Sequence, residues 1–385
     1  MLPLGFAAFV LLGVVLVLVG ASQAELAHAL GLDLARSGVL GAALPLGAGL
    51  GVTAAGPLVD RLPRRPVFLG AVLLAALAGL AVEPKIGFAR ALAHVFALGV
   101  GIGVYDTLMN ALVIERHGAA SGRPLALLHA AATLGAVIGP PLVGWLTARG
   151  DWTTSFRVTG GALLALGPWV AALPLPAPPG AEARRSGGPA PPLLSRALLA
   201  LAGVGFAYVG VETGVTLFCV AWAGAGLGLS PGRGRSAISS FWLGLLLGRL
   251  ALLGLRRTVG VRLLVASGLG GALFLGVAVA GFALPLEIAT GLAGLCLGAV
   301  YPVMIALTGR HFPAATGTAA GLVAGAAAAG GFCVPWLAGL LGDAAGVRAA
   351  VASLAAVSLA ISGAALWIGS PQARLGDVAR PEGAA

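Results

Sequence analysis

Two carboxylates stand inside long apolar runs: Asp106 in GIGVYDTLMNALV (101–113) and Glu212 in YVGVET (208–213). An ionisable group in the middle of an apolar helix is costly and marks function by default. A carboxylate at that depth can take a proton from one side of a membrane and release it when the site rehydrates on the other, so Asp106 and Glu212 are assigned to proton coupling. Asn110 lies one helical turn beyond Asp106 on the same face, in reach of the carboxylate or of a solute hydroxyl. Tyr208, Glu212 and Thr216 follow one another at intervals of four and form a polar stripe, with Thr213 beside it. Such a stripe suits a sugar or polyol better than a lipophilic drug. His129, with Thr133 a turn away, is a candidate ligand or proton relay. Trp242 is a candidate platform for the apolar face of a sugar ring. The expected solute site is therefore Gln23, Asn110, His129, Tyr208, Glu212, Thr213 and Trp242. Each of the stronger candidates also has a plainer reading: Asp106 as packing glue between helices, Glu212 as a salt-bridge or gating group, His129 as a helix histidine satisfied by a neighbour, and Trp242 as an interfacial anchor.

These residues need elements that cross a membrane, and the composition supplies them. The chain has 385 residues, 59% hydrophobic and 9% charged, with 13 acidic and 23 basic side chains; the mean hydropathy is +1.01. A soluble domain carries roughly a quarter charged residues, so this chain lacks the polar surface to cover a soluble globule. Disorder needs the opposite balance. Continuous apolar runs of about twenty residues exclude an outer-membrane barrel, whose strands alternate over about ten. A polytopic α-helical membrane protein remains.

Charges, Pro/Gly clusters and polar turns divide the chain into twelve segments able to span the hydrocarbon layer: 3–24, 37–59, 66–83, 91–114, 123–147, 156–175, 197–224, 236–255, 261–282, 285–308, 315–341 and 346–369. Residues 176–196, rich in Pro, Gly and Arg, read as a cytoplasmic linker between a six-helix bundle over 1–175 and another over 197–370, with a cytoplasmic tail at 371–385. Leu2 to Val19 lacks a basic leader and reads as the first span rather than a signal peptide. Counting basic residues in loops and helix ends, with Arg249 among them, puts 15 inside and 8 outside when both termini are cytoplasmic. All the bases but Lys85 are Arg and they are scattered, which suits anionic lipid rather than nucleic acid. Cys219, Cys296 and Cys333 are far apart in apolar runs and read as small core side chains, with no disulfide or metal site.

The halves echo each other, as in repeat-built transporters. Gly135-x-x-x-Gly139-Pro140 in the fifth segment answers Gly331-x-x-x-Pro335 in the eleventh, and the loop with Asp60, Arg61, Arg64 and Arg65 answers Gly248, Arg249, Arg256 and Arg257. The stretch Gly56 to Arg65, GPLVDRLPRR, resembles the second-to-third loop signature of the major facilitator superfamily, G-x-L-x-D-R-x-G-R-R/K, with Pro63 in place of a glycine. There Asp60 can accept from arginines and from a neighbouring helix N-terminus as a latch. The resemblance implies a gating role for Gly56, Asp60, Arg61, Arg64 and Arg65, and a fold of twelve transmembrane helices in two pseudo-symmetric six-helix bundles.

Within that superfamily the chain is similar to the fucose permease and sugar:proton symporter group. Residues 101–113 match its G-x-G-x-x-E-T-x-x-N-P-x-V run, with Asp106 for the glutamate and Asn110 on the asparagine. Residues 125–139 match its fifth-helix run, with His129 on the His/Gln position. Tyr208 to Thr213, Phe241-Trp242-Leu243-Gly244 and Gly248-Arg249-Leu250 match Y-V-G-x-(E/Q)-T and F-W-x-G…G-R-L. Two departures matter. The first-helix carboxylate aligns near Gly20, with Gln23 and Glu25 close by, and two fifth-helix asparagines are Ala126 and Ala132. The resemblance implies symport of a small polar solute such as a sugar with protons, in a bacterial inner membrane. The partners expected are that solute, protons and membrane lipids, with no nucleic acid, and the protein is expected to be a monomer. No Walker loop or His-Glu-x-x-His motif is present, so no enzymatic activity, cofactor or metal is expected. Proton-coupled efflux on the same fold is the rival, and a non-transporting membrane sensor or enzyme is the alternative from another class.

Overall fold

The computed structural model of the chain describes residues 2–118, 121–173, 175, 195–254, 260–281 and 284–368. The linker bases Arg184 and Arg185, the loop residues Arg256 and Arg257, the tail, and the side chains of Asp60 and Arg61 lie outside the described residues. Helices account for almost everything described: α1 (Leu2–Ala21), α2 (Gln23–Leu30), α3 (Leu34–Arg61), α4 (Arg64–Leu80), α5 (Phe88–His117), α6 (Gly122–Thr147), α7 (Thr153–Leu164), α8 (Leu166–Ala172), α9 (Arg196–Ala221), α10 (Pro231–Gly254), α11 (Val261–Ala280), α12 (Leu286–Leu297), α13 (Val300–His311), α14 (Thr316–Ala345) and α15 (Val347–Trp367). Among the described residues, nine spans are long and apolar enough to cross a bilayer. Three further crossings complete the twelve: α4, the broken pair α7 and α8, and α10, which holds Arg233, Arg235 and Arg249.

Three expected segments are broken helices. The first ends at a turn on Ser22, after which α2 stops on Gly31 in the left-handed region, where glycine carries no Cβ penalty. Pro168 and Pro302 lie just beyond the other two breaks, where a proline lacks the N–H that would have bonded four residues back. α10 starts five residues earlier than expected because Pro231 is pre-shaped for a first helical turn.

The halves pack by the same scheme. α1 lies on α6 as α9 lies on α14; α3 lies on α5 as α10 lies on α12; α4 meets α5 and α7 as α11 meets α12 and α15. Between the halves, α3 meets α14 and α6 meets α10, a pair of contacts that the pseudo-symmetry exchanges, and α1 meets α9 on the axis. The fold is thus two pseudo-symmetric six-helix bundles. With no hydrophobic drive between helices in lipid, close backbone approach supplies the packing. A Cβ on Gly13 would overlap the Ala132 carbonyl oxygen, and one on Gly135 the Val10 carbonyl oxygen. Gly13→Val is therefore expected to separate α1 from α6 and to abolish monodisperse, folded protein in size-exclusion chromatography.

The face on which α1 begins is here the proximal face, and the one on which it ends the distal face. Toward the distal face α3 and α14 are in close contact: a Cβ on Gly38 would sit 2.6 Å from the Pro335 carbonyl oxygen, and one on Gly339 2.5 Å from that of Leu34. Toward the proximal face the two helices part, and a Cβ on Gly56, Gly321 or Gly325 would meet no atom of the described residues within 4 Å. The halves are closed distally and apart proximally along this pair.

Candidate functional site

The first half contributes Asp106 and Asn110 from the middle of α5. Tyr105, fully buried, fixes that stretch by donating its hydroxyl to the Ala8 carbonyl of α1 (3.1 Å) and stacking on Phe68. The Asn110 amide donates to Asp106 Oδ1 at 3.0 Å, the one-turn pairing that the spacing predicts. Asn110 Oδ1 is buried without a partner among the described residues, so the pair retains an acceptor.

The second half contributes a denser cluster. Tyr208 donates its hydroxyl to Glu212 Oε2 at 2.5 Å. Arg249, from α10, donates through Nη2 to the Tyr208 hydroxyl (3.2 Å) and lies 3.8 Å from Glu212 Oε2. Its Nη1 donates across the bundle boundary to the Thr133 hydroxyl of α6 (2.9 Å), which in turn donates to the His129 carbonyl. Arg249 therefore does not belong to a loop, as the charge count assumed. It lies within α10, where it compensates Glu212 and ties the bundles together. Tyr301, from α13, places its ring 6.2 Å from that of Tyr208 and is 37% exposed; no motif or spacing marks it in the sequence.

The remaining expected residues are placed as follows. Thr216 donates to the Glu212 main-chain carbonyl (2.8 Å) and accepts from the Trp242 indole N–H (3.1 Å). Trp242 is buried in mid-helix, which rules out the interfacial-anchor reading. Trp242, Glu212, Thr213 and Thr216 line a central cavity of about 40 Å³ with Gly20, Gly41 and Pro45, room for a small number of waters. His129 is exposed and meets Phe9 edge-on at 5.4 Å. Gln23 is buried at the start of α2 and is not among the residues lining that cavity, although Gly20, one turn earlier, is.

At the proximal end, Arg64 is buried and forms a two-pronged pair with Glu115 at the end of α5, a partner the sequence did not indicate. Arg65 donates to the Leu173 carbonyl (2.9 Å), so these two arginines knit the first half to itself. Cys219 is buried and Cys296 and Cys333 half-buried, all three free.

The cluster's chemistry is that of hydrogen-bonding groups, one compensated carboxylate and one carboxylate bonded to an amide, between two helical bundles. The sequence profile of the Major Facilitator Superfamily matches residues 4–285. No curated protein matches the chain by sequence. Among solved structures, a D-xylose-proton symporter superposes with a TM-score of 0.76 at 15% identity, over 95% of this chain and 96% of that one. A bacterial homolog of the human lysosomal transporter Spinster, inward-facing and unoccupied, gives 0.71 at 14% identity, over 95% and 94%. The E. coli fucose:proton symporter FucP gives 0.64 at 16% identity, over 96% and 98%. At these identities the likeness shows the fold alone, whereas the profile match covers most of the chain. This chain belongs to the major facilitator superfamily, a family of transporters rather than enzymes, and is a multi-pass membrane protein.

Proposed function

We propose that the protein is a proton-coupled symporter of a small polar solute, of the sugar class, that works by alternating access between bundles 1–175 and 197–370. The observation that carries this reading is the unequal treatment of the two membrane carboxylates. Glu212 has an arginine 3.8 Å away and a phenol on its oxygen, whereas the described partner of Asp106 is the neutral Asn110 amide. A carboxylate held by a neighbouring cation keeps its charge, and one held only by an amide in an apolar helix is free to exchange a proton. Asp106 is thus the proton carrier. Glu212 follows the salt-bridge reading, holding Arg249 where it reaches across the bundle boundary to Thr133.

The solute class follows from the groups on offer. Phenols from Tyr208 and Tyr301, the Thr213 hydroxyl, the Asn110 amide and the Trp242 ring can bond hydroxyls and cover the apolar face of a pyranose. The sugar:proton symporters among the structural neighbours support the same class. The central cavity is too small for a sugar ring, so entry goes with the proximal separation of the halves. The bias of basic residues supports the proximal face as cytoplasmic, in a bacterial inner membrane, and the proposed state is inward-open. The unit is a monomer in lipid.

The test begins with purified protein and a panel of aldopentoses, aldohexoses and polyols. A true ligand at a hundredfold excess over its Kd raises apparent stability by about 2.7 kcal/mol, read as a shift in thermal melting. The same compound is expected to accumulate in proteoliposomes under a pH gradient, acid outside, and to leave when a protonophore is added. Expulsion of hydrophobic dyes without sugar uptake would instead identify an exporter.

A further inference from the structure

At the distal face the second half reaches into the first with two charges of opposite sign. Arg235, 9% exposed, donates Nε to the carbonyl of Ala21 (2.9 Å), the last residue of α1, and pairs through Nη2 with Glu25 of α2. It packs against α6, where a Cβ on Gly144 would meet its Cδ at 3.2 Å. Asp343, near the end of α14, accepts from the backbone N–H groups of Leu34 and Ala35 (2.8 and 2.9 Å), the first two residues of α3. A helix carries partial negative charge at its last carbonyls and partial positive charge at its first N–H groups. A cation on the end of α1 and an anion on the start of α3 are therefore each placed on the complementary pole.

We propose that Arg235 and Asp343 form a two-pronged distal latch, in which the second half caps two helix ends of the first and so stabilises the distally closed state. This rests on the alternating-access reading, because a latch matters only if the halves part at this face. On parting, both helix ends lose their caps. A cleft of about 560 Å³ beside Glu25, Asp151 and Arg235 puts water next to the arginine prong, which lowers the cost of release. Elsewhere among the described residues the side chains on helix ends stay within one half: Asp33 accepts from the Arg36 N–H of its own helix (2.7 Å), and Arg65 and Arg196 donate to the carbonyls of Leu173 and Trp367 in their own halves. Arg235 and Asp343 act through the helix ends and are positioning residues.

The test is a distance measurement across the latch. Spin labels at Ala29, on α2, and Ala225, beyond α9, both exposed, report the separation of the halves at the distal face by pulsed electron resonance. The full-length protein is used with Cys219, Cys296 and Cys333 replaced by alanine. A predominantly short distance is expected for the parent. Arg235→Met, which keeps the apolar stem and removes the charge, and Asp343→Ala are each expected to raise the ratio of long to short distances about fivefold, and together about twenty-five-fold. Arg235→Lys, which keeps a cation on the α1 carbonyl, is expected to stay within about twofold of the parent. If the double variant does not fold, Arg235→Lys combined with Asp343→Asn is read instead, with an increase smaller than that of Asp343→Ala. Unchanged distances in the double variant, or in Asp343→Ala alone, overturn the latch, as does an Arg235→Lys protein that opens as far as Arg235→Met. The distances are recorded without solute or pH gradient, so they stand apart from proton coupling. A latch that opens as expected in a protein that moves no protons would refute the symport reading alone.

Discussion

An Asp106→Asn protein in liposomes is expected to lose all gradient-driven accumulation while it still exchanges labelled for unlabelled solute at a rate of the parent's order. The substitution keeps the size and hydrogen-bonding reach of the side chain, so the contact with Asn110, 3.0 Å away, survives. It removes only the capacity to gain and lose a proton. With one proton per solute, a gradient of about two pH units supports about a hundredfold accumulation in the parent, because each unit is worth about 1.4 kcal/mol. In the variant the ratio falls to one. Exchange needs only solute binding and the bundle motion, which Asp106→Asn leaves in place. Loss of exchange together with accumulation would instead make Asp106 a packing residue, and full accumulation would remove it from the mechanism.

Arg249→Met is expected to cost about 3 kcal/mol of stability, read by thermal melting in detergent, and to abolish transport. Removing one partner of a buried ion pair leaves the other charge uncompensated, which costs about 3–5 kcal/mol; the side chains are 27% and 17% exposed, so the lower figure applies. The variant also cuts the bond to Thr133, a link across the bundle boundary. In Arg249→Met with Glu212→Gln no uncompensated charge remains, and most of the stability is expected to return. Transport is not, since both the cavity-lining carboxylate and the cross-bundle link to Thr133 are gone. A double variant as unstable as the single one would show that Arg249 acts by packing rather than by charge.

The twelve crossings were legible in apolar length and charge spacing, because a bilayer imposes both. Helix breaks were not. The turn at Ser22 leaves no proline in the sequence, and Pro168 and Pro302 read equally well as tolerated kinks within one span. Among site residues, Asp106, Asn110, Tyr208, Glu212 and Thr216 were legible because helical spacing alone puts them on shared faces. Their tertiary partners were not. Arg249 was counted as a loop charge although it sits inside the apolar segment 236–255, and that position was the signal for a buried cation. Nothing in the spacing of Tyr301 or Glu115 points to Tyr208 or Arg64, which are brought close only by the packing of α13 on α9 and α4 on α5. Gln23, chosen for its polarity near the end of the first apolar run, is carried away from the cavity lining by the same turn at Ser22.

Proton movement evoked by solute tests the central claim most directly. In proteoliposomes carrying an internal pH dye and no imposed gradient, the solute identified by thermal shift is added outside. The parent is expected to acidify the lumen as solute enters, and Asp106→Asn to take up solute downhill without any pH change. Solute entry in the parent with no pH change, or the same acidification in Asp106→Asn, would contradict the account.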